Sequence, residues 1–229
     1  MDSLIQKNSR NFTLHSTLSP AVNIVCIASG RGSNVGALIQ AIRAKSIAAR
    51  IVLVVSNIST AHVLEVARDG GLPAVHLSEK QFADHDAFAR KFLEVLRAAQ
   101  PDLIVLAGYL RKLPDPVCEA FRGRIINIHP ALLPKYGGPG MYGRSVHEAV
   151  LANHEKESGA TVHFVDEEYD HGAIIAQQQV HVLPTDTAET LADRVLEAEH
   201  ELLVRAVKNI IETQSRTAEP RNLQAESQS

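Results

Sequence analysis

IINIHPALLPKYGGPG, from Ile125 to Gly140, passes from an apolar run into Asn-X-His-Pro and then into a loop of glycine and proline. An apolar run without polar alternation suits a strand covered on both faces, the kind found in parallel sheets wrapped by helices. In extended chain, residues two apart project to the same side, so Asn127 and His129 emerge together. Pro130 disfavours the helical region for His129 and keeps it extended. In an open α/β sheet the carboxyl edge of such a strand borders the ligand crevice.

Outward from this stretch, strand and helix signals alternate. NIVCIA (Asn23–Ala28), RIVLVVS (Arg50–Ser56), AVHL (Ala74–Leu77) and DLIVLAG (Asp102–Gly108) are apolar, largely β-branched runs. Between them, VGALIQAIRA (Val35–Ala44) and AHVLEVARDGG (Ala61–Gly71) have helical spacing, and Gly70–Gly71 is a stop signal. Asp84 is placed to cap a helix whose Phe88, Phe92 and Leu96 share one face. After the glycine loop, ATVHFV and AIIAQQQVHVL are separated by a short polar turn, so the last strands run antiparallel. A long helix starts near Thr187, where Asp186 and Glu189 fit a capping box. The expected fold is α/β: a mostly parallel, open, twisted, Rossmann-like sheet with antiparallel late strands and a long C-terminal helix. Residues 21–212 form one domain, with a disordered extension over residues 1–20 and a flexible tail over residues 213–229.

Composition narrows the function classes. Hydrophobic residues make up 45% and charged residues 21%, ordinary for a soluble enzyme. A net charge of −3 gives no global attraction to nucleic acid or anionic membrane, so any anion site is local. The apolar runs are too short to span a bilayer, and the polar first twenty residues lack a secretory pattern, so the expected location is cytoplasmic. Cys26 and Cys118 read as packing residues. There are eleven histidines but no His-Glu-X-X-His, and His129, His147, His163 and His171 lack ligand spacing, so no metal is expected.

IASGRGSN (Ile27–Asn34) joins the first strand to the first helix, where backbone N–H groups and the helix dipole favour an anion. A dinucleotide fingerprint wants glycine at position 35, which is Val35, and an acid ending the second strand, where Ser56 and Asn57 stand. A small anion cradle remains, with Ser33 and Asn34 adding donors; so does a tight turn that needs glycine for backbone reasons alone.

The chemistry at the strand end follows from residue type. An amide N–H is a fixed neutral donor suited to polarising a carbonyl, and an imidazole can take and return a proton. Together they activate an electrophile for a nucleophile brought by the substrate, so no serine or cysteine is required. The bland alternative is a buried Asn–His pair satisfying backbone groups. A carboxylate from the turn VDEEYDHGAII would raise the His129 pKa; spacing leaves Asp166 and Asp170 both open.

SGRGSN, LAGYLRKL, INIHPALLPKY, TVHFVDEEYDHGAII and RVLEAEHELL, in this order and spacing, resemble the phosphoribosylglycinamide formyltransferase family over most of Val22–Glu212. The resemblance implies formyl transfer from the co-substrate 10-formyltetrahydrofolate to glycinamide ribonucleotide in purine synthesis, without a metal. By position it implies Asn127, His129 and Asp170 as the catalytic trio and Gly32, Ser33 and Asn34 as the substrate-phosphate loop. Glu199 would hold the substrate ribose; Val195 and Leu203 place it on an apolar stripe, where a carboxylate needs partners. Leu110, Arg111, Lys112 and Leu113 would grip the pterin, and Asp166, Glu167, Glu168, Tyr169 and Asp170 would close over it. His85 falls where some members carry a folate-reaching arginine, which puts that contact in question. Lys135–His147 is longer and richer in glycine than the shortest family versions and reads as a mobile lid or a longer connection. His163 matches a family histidine near the site and equally fits a satisfied core histidine. The resemblance involves small-molecule substrates, with no nucleic acid or membrane, and admits a homodimer. Formyltetrahydrofolate deformylase and methionyl-tRNA formyltransferase share the trio but carry additional domains for which this chain is expected to lack room. A metal-dependent hydrolase and a non-catalytic nucleotide-binding module are the readings from other classes.

Overall fold

The computed structural model describes residues 21–218. Strands β1 (Val22–Ile27), β2 (Ala49–Ser56), β3 (Ala74–His76), β4 (Leu103–Leu106), β5 (Ile125–His129), β6 (Glu157–Phe164) and β7 (Ile174–His181) form one sheet in the order β3-β2-β1-β4-β5-β6-β7. Pairing is parallel from β3 to β5, then antiparallel for β5–β6 and β6–β7. This is the sheet expected from the uninterrupted apolar runs.

Among the described residues, six α-helices connect and cover the strands: α1 (Ser33–Arg43), α2 (Val63–Asp69), α3 (His85–Ala99), α4 (Asp115–Ala120), α5 (Arg144–Ala152) and α6 (Ala188–Ala218). Strand alternation divides the core in two. Ile24, Cys26, Ile126 and Ile128 pack with Leu38, Val63 and Leu203, from α1, α2 and α6. Val25, Ile27, Ile104 and Ile125 pack with Phe88, Phe92 and Leu96 of α3 and Val117 of α4. Asn127 and His129 follow Ile125 at intervals of two and so belong to its face. The α3 start is as expected, with Asp84 accepting the Ala87 N–H at 2.7 Å. Phe88 meets Phe92 edge-on, ring centroids 5.4 Å apart.

Both ends of α6 differ from expectation. Thr187 and Thr190 exchange the capping bonds: Thr190 N–H to Thr187 Oγ1 at 3.3 Å, and Thr187 N–H to Thr190 Oγ1 at 3.0 Å. Asp186 sits one residue too early. Its carboxylate takes the Arg194 guanidinium through two bonds of 2.8 Å and the Leu183 N–H at 2.7 Å. A two-pronged guanidinium is a stronger partner for a carboxylate than a helix N–H, so the acid is drawn away from the cap. At the other end the helix continues to Ala218, past the expected boundary at residue 212. The stretch TQSRTA contains no breaker, and Pro220 is the first. The extension expected over residues 1–20, and the tail from residue 219 on, lie outside the described residues. Among the described residues no helix is long and apolar enough to cross a membrane.

Candidate active site

A cavity of about 620 Å³ opens at the carboxyl ends of β1, β4 and β5. Strand order reverses between β1 and β4, and loops leaving such a switch point part to form a crevice. Its wall takes Gly32, Ser33 and Asn34 from the first loop, Leu110 from the loop after β4, and Asn127 and His129 from the end of β5. Asp170 and, from α6, Glu199 complete it. The amide and the imidazole therefore emerge together, as the two-residue spacing requires.

Sheet register supplies their partners. Asn127 lies opposite His163, and His129 opposite Thr161. His163 Nδ1 is 2.8 Å from the Phe164 carbonyl oxygen. A carbonyl only accepts, so Nδ1 carries the hydrogen and Nε2 has a lone pair. The Asn127 amide donates to that lone pair at 3.1 Å, which fixes the amide plane. Its second N–H is held loosely, 3.5 Å from Asp170 Oδ1, and is the one available to an incoming carbonyl. The same logic applies at His129, where Nε2 lies 2.7 Å from the Tyr136 carbonyl oxygen and so carries its hydrogen. Nδ1 is left with a lone pair, 3.5 Å from Asp170 Oδ1.

Burial pushes the His129 pKa down, and the carboxylate of Asp170 acts against this without reversing it. The expectation that a neighbouring carboxylate raises the His129 pKa holds for the sign of that contribution and fails for the net result, because desolvation of a ring 4% exposed is the larger effect. For Asp170, burial works against ionisation, but the His163 and His129 rings, whenever they carry a proton on the nitrogen facing it, and the Gly138 N–H hold its carboxyl below the usual range. Between the two acids left open, the structure brings Asp170 to the imidazole, with its backbone in the left-handed region at φ 52°. Asp166 stays within its own turn, accepting the Glu168 N–H and pairing with His171 Nδ1 at 3.0 Å.

The loop after Pro134 forms a wall fastened to the trio. Tyr136 gives its carbonyl to His129 and its hydroxyl to Glu155, which also holds Lys135. The Gly138 N–H donates to Asp170 Oδ2 at 2.9 Å. A Cβ on Gly137 would stand 2.6 Å from Leu133 Cδ2 and 3.2 Å from Asp170 Cβ, so a larger residue would need Leu133 to turn away and Asp170 to give slightly. Thr161, which sequence reasoning missed, steadies the chain just beyond His129: its hydroxyl donates to the Ala131 carbonyl at 2.6 Å and receives the Leu133 N–H at 3.1 Å. The available signal was its place two residues before His163 on one face of β6.

At the opposite wall, Gly32 has φ 79°, and a Cβ there would meet Val63 at 2.7 Å. Its backbone requirement exists whatever the loop binds. Ser33 begins α1 and faces the cavity. Asn34 lines the cavity as well, and its Nδ2 binds Glu199 Oε2 at 2.6 Å, which ties α1 to α6. Burial pushes the Glu199 carboxyl up to about 7, against the Asn34 bond and the charge of Arg31. Arg31, also missed, is an exposed cation on the cavity wall. It was visible as the one charged residue inside SGRGSN.

Arg111, Lys112 and Leu113 line an adjoining cavity of about 70 Å³ with Asp166, Glu168 and Tyr169, and both cavities touch Asn127 and Asp170. The Ser29 hydroxyl receives the Leu110 N–H at 2.9 Å and donates to Asn57 at 2.7 Å, which anchors this segment to the first loop. Two expected contacts are not brought in. Glu167 pairs outward with Arg122, and His85 pairs with Glu79 at the start of α3, outside both cavities. Cys118 borders the smaller cavity, but burial pushes its thiol up to about 11, which leaves it inert. Among the described residues no cluster of three or more His, Cys, Asp or Glu could hold a metal ion.

The Formyl transferase family model matches residues 22–207. The chain is 44% identical to the trifunctional purine biosynthetic protein adenosine-3 of Drosophila melanogaster, over 82% of this chain and 14% of that protein. It is 43% identical to the chloroplastic phosphoribosylglycinamide formyltransferase of Arabidopsis thaliana, over 80% of this chain and 63% of that one. The chain thus spans less than two thirds of these relatives. The crystal structure of phosphoribosylglycinamide formyltransferase from Brucella melitensis superposes with a TM-score of 0.77 at 42% identity, covering 83% of this chain and 95% of that one. A formyltetrahydrofolate deformylase from Pseudomonas syringae superposes with a TM-score of 0.76 at 26% identity, over 85% and 63% of the two chains.

The buried acid of α6 has a measurable cost. A carboxyl whose pKa rises from 4.5 unfolded to about 7 folded loses stability as pH climbs between those values and stays at the lower level above them. Glu199→Gln removes that loss. Its melting temperature at pH 8.5 is expected to exceed that of the parent by roughly 6–12 °C, since a shift of this size corresponds to ~3 kcal/mol and ~1 kcal/mol moves a domain of this size by about 2–4 °C, with the gain vanishing at pH 4. An equal gain at both pH values would contradict the assignment.

Proposed function

The chain belongs to the formyl transferase family, and on that premise we propose that it moves the formyl group of 10-formyltetrahydrofolate to the amine of glycinamide ribonucleotide. One observation carries the reading: a single cavity joins the Asn127–His129–Asp170 cluster to a wall of Gly32, Ser33, Arg31 and Glu199. The first can activate a carbonyl. The second suits a sugar phosphate, with backbone N–H groups and a cation for the phosphate and a buried carboxyl for ribose hydroxyls. The folate lies toward Leu110–Leu113 and the 166–170 turn, which places its formyl group beside Asn127.

The amine lone pair attacks the formyl carbon, and the carbonyl electron pair moves onto oxygen, where the free Asn127 N–H receives the charge. The nitrogen that has attacked then loses a proton to His129 Nδ1, the lone pair left open by the bond from Nε2 to Tyr136. The resulting imidazolium is stabilised by Asp170. As the carbonyl re-forms, the bond to the folate nitrogen breaks and that nitrogen regains a proton. The products are the formamide and tetrahydrofolate.

The similarity to a deformylase supports a second reading, with water in place of the amine. The phosphate-and-ribose wall favours the amine. Incubation with 10-formyltetrahydrofolate is expected to release tetrahydrofolate only when the ribonucleotide is present; the same rate without it would establish the deformylase. Asn127→Ala is expected to lower kcat by ~100-fold, the ~3 kcal/mol typical of an oxyanion donor, with either KM changed less than threefold. A rise in KM at constant kcat would place Asn127 in binding alone.

The pH profile follows from the sign of the His129 shift. Neutral His129 is the active form and its pKa lies below 6.5, so the acid limb of kcat/KM falls below pH 6.5. Asp170→Asn removes a charge that raises this pKa, and the limb is expected to move to still lower pH on a reduced plateau. A limb displaced upward would overturn the assignment.

A further inference from the structure

His147 is a buried imidazole that the reaction described so far does not use. It lies in the first turns of α5, directly after the glycine loop, and is 4% exposed. Its neighbours on the helix, Val146 and Val150, are buried apolar residues. His147 lines the same cavity as Asn127, His129 and Glu199, yet its Nδ1 is buried without a hydrogen-bond partner. The contrast with the other two buried imidazoles is direct: His129 and His163 each have a ring nitrogen committed to a backbone carbonyl. A buried polar atom without a partner is costly, and a ligand or water normally satisfies it.

Position indicates the ligand. α5 packs on α6, where Val150 meets Leu191 and Val195, one turn before Glu199. His147 shares its cavity with the acid that suits the ribose and lies near the imidazole that serves the formyl carbon. The part of a glycinamide ribonucleotide that must reach that imidazole is its short amide-and-amine arm. Resting on the function proposed above, we propose that His147 is a further substrate contact, hydrogen-bonding that arm through Nδ1 and aligning the amine for attack. Burial and the nearby His129 both push the His147 pKa down, so the ring stays neutral and offers a lone pair as well as an N–H.

The test compares three variants with the parent enzyme, using steady-state kinetics for both substrates and titration calorimetry with the ribonucleotide alone. His147→Leu fills the site without a polar atom. It is expected to raise KM and Kd for the ribonucleotide about tenfold, the value of one well-made hydrogen bond, while KM for the folate stays within twofold and the melting temperature does not fall. His147→Asn keeps a polar atom at the Nδ1 position and is expected to recover most of the affinity. His147→Gln shifts that atom to the Nε2 position and is expected to bind as weakly as the leucine variant, which provides a polar control should leucine disturb α5. Ribonucleotide affinity unchanged in His147→Leu, both KM values rising together, or Asn and Gln binding alike would each overturn the proposal. Failure of the parent reading is distinguishable, because the unmodified enzyme would then neither bind the ribonucleotide nor transfer to it.

Discussion

Two backbone carbonyl oxygens govern the chemistry of this site. The carbonyl of Tyr136 holds a hydrogen on Nε2 of His129, and that of Phe164 holds one on Nδ1 of His163. Each bond leaves the opposite ring nitrogen as a lone pair. One faces Asp170 and can receive a proton; the other accepts from Asn127 and aims its amide. Reversing either tautomer would set a ring N–H against the Asn127 amide hydrogens, or leave His129 without a basic nitrogen toward the cavity. The catalytic residues thus owe their roles to main-chain atoms whose positions depend on sheet register and on one glycine-rich loop.

That dependence explains the investment in the loop after β5. Glu155 grips Lys135 and Tyr136, Gly137 allows the chain to press on Asp170, and Thr161 pins the residues in between. The opposite wall follows a different rule. There a carboxyl is kept in the apolar interior of α6 with one side-chain donor, Asn34, at the expense of stability near neutral pH. Groups poised for a ligand are often strained in its absence, and Glu199 and His147 both fit that description.

Legibility tracked how local each determinant is. Apolar runs such as LIVL and RIINI declared a buried parallel sheet because strand burial is written in consecutive residues. Asn127 and His129 were readable because a period of two and the restraint from Pro130 suffice to place them. Asp170 against Asp166 was not, since the choice rests on a single left-handed backbone at Asp170 and on the turn that Asp166 closes upon itself. The net direction of the His129 shift was hidden for a related reason: a charged neighbour is visible in sequence, whereas the depth of burial is not. Asn34 and His147 depend on how α1 and α5 meet α6, contacts separated by 165 residues in the first case. The cap of α6 was misplaced by one residue because Arg194 competes for Asp186 from eight positions away.

The most direct measurement is of hydrogen position. Long-range ¹⁵N–¹H correlation spectra of the unliganded protein at pH 7.5 distinguish the two neutral tautomers of a histidine from each other and from imidazolium. The account predicts hydrogen on Nε2 for His129, with that ring neutral, and hydrogen on Nδ1 for His163. Finding His163 protonated at Nε2, or His129 protonated at Nδ1, would contradict it, since neither the amide nor the base would then have the orientation the reaction needs.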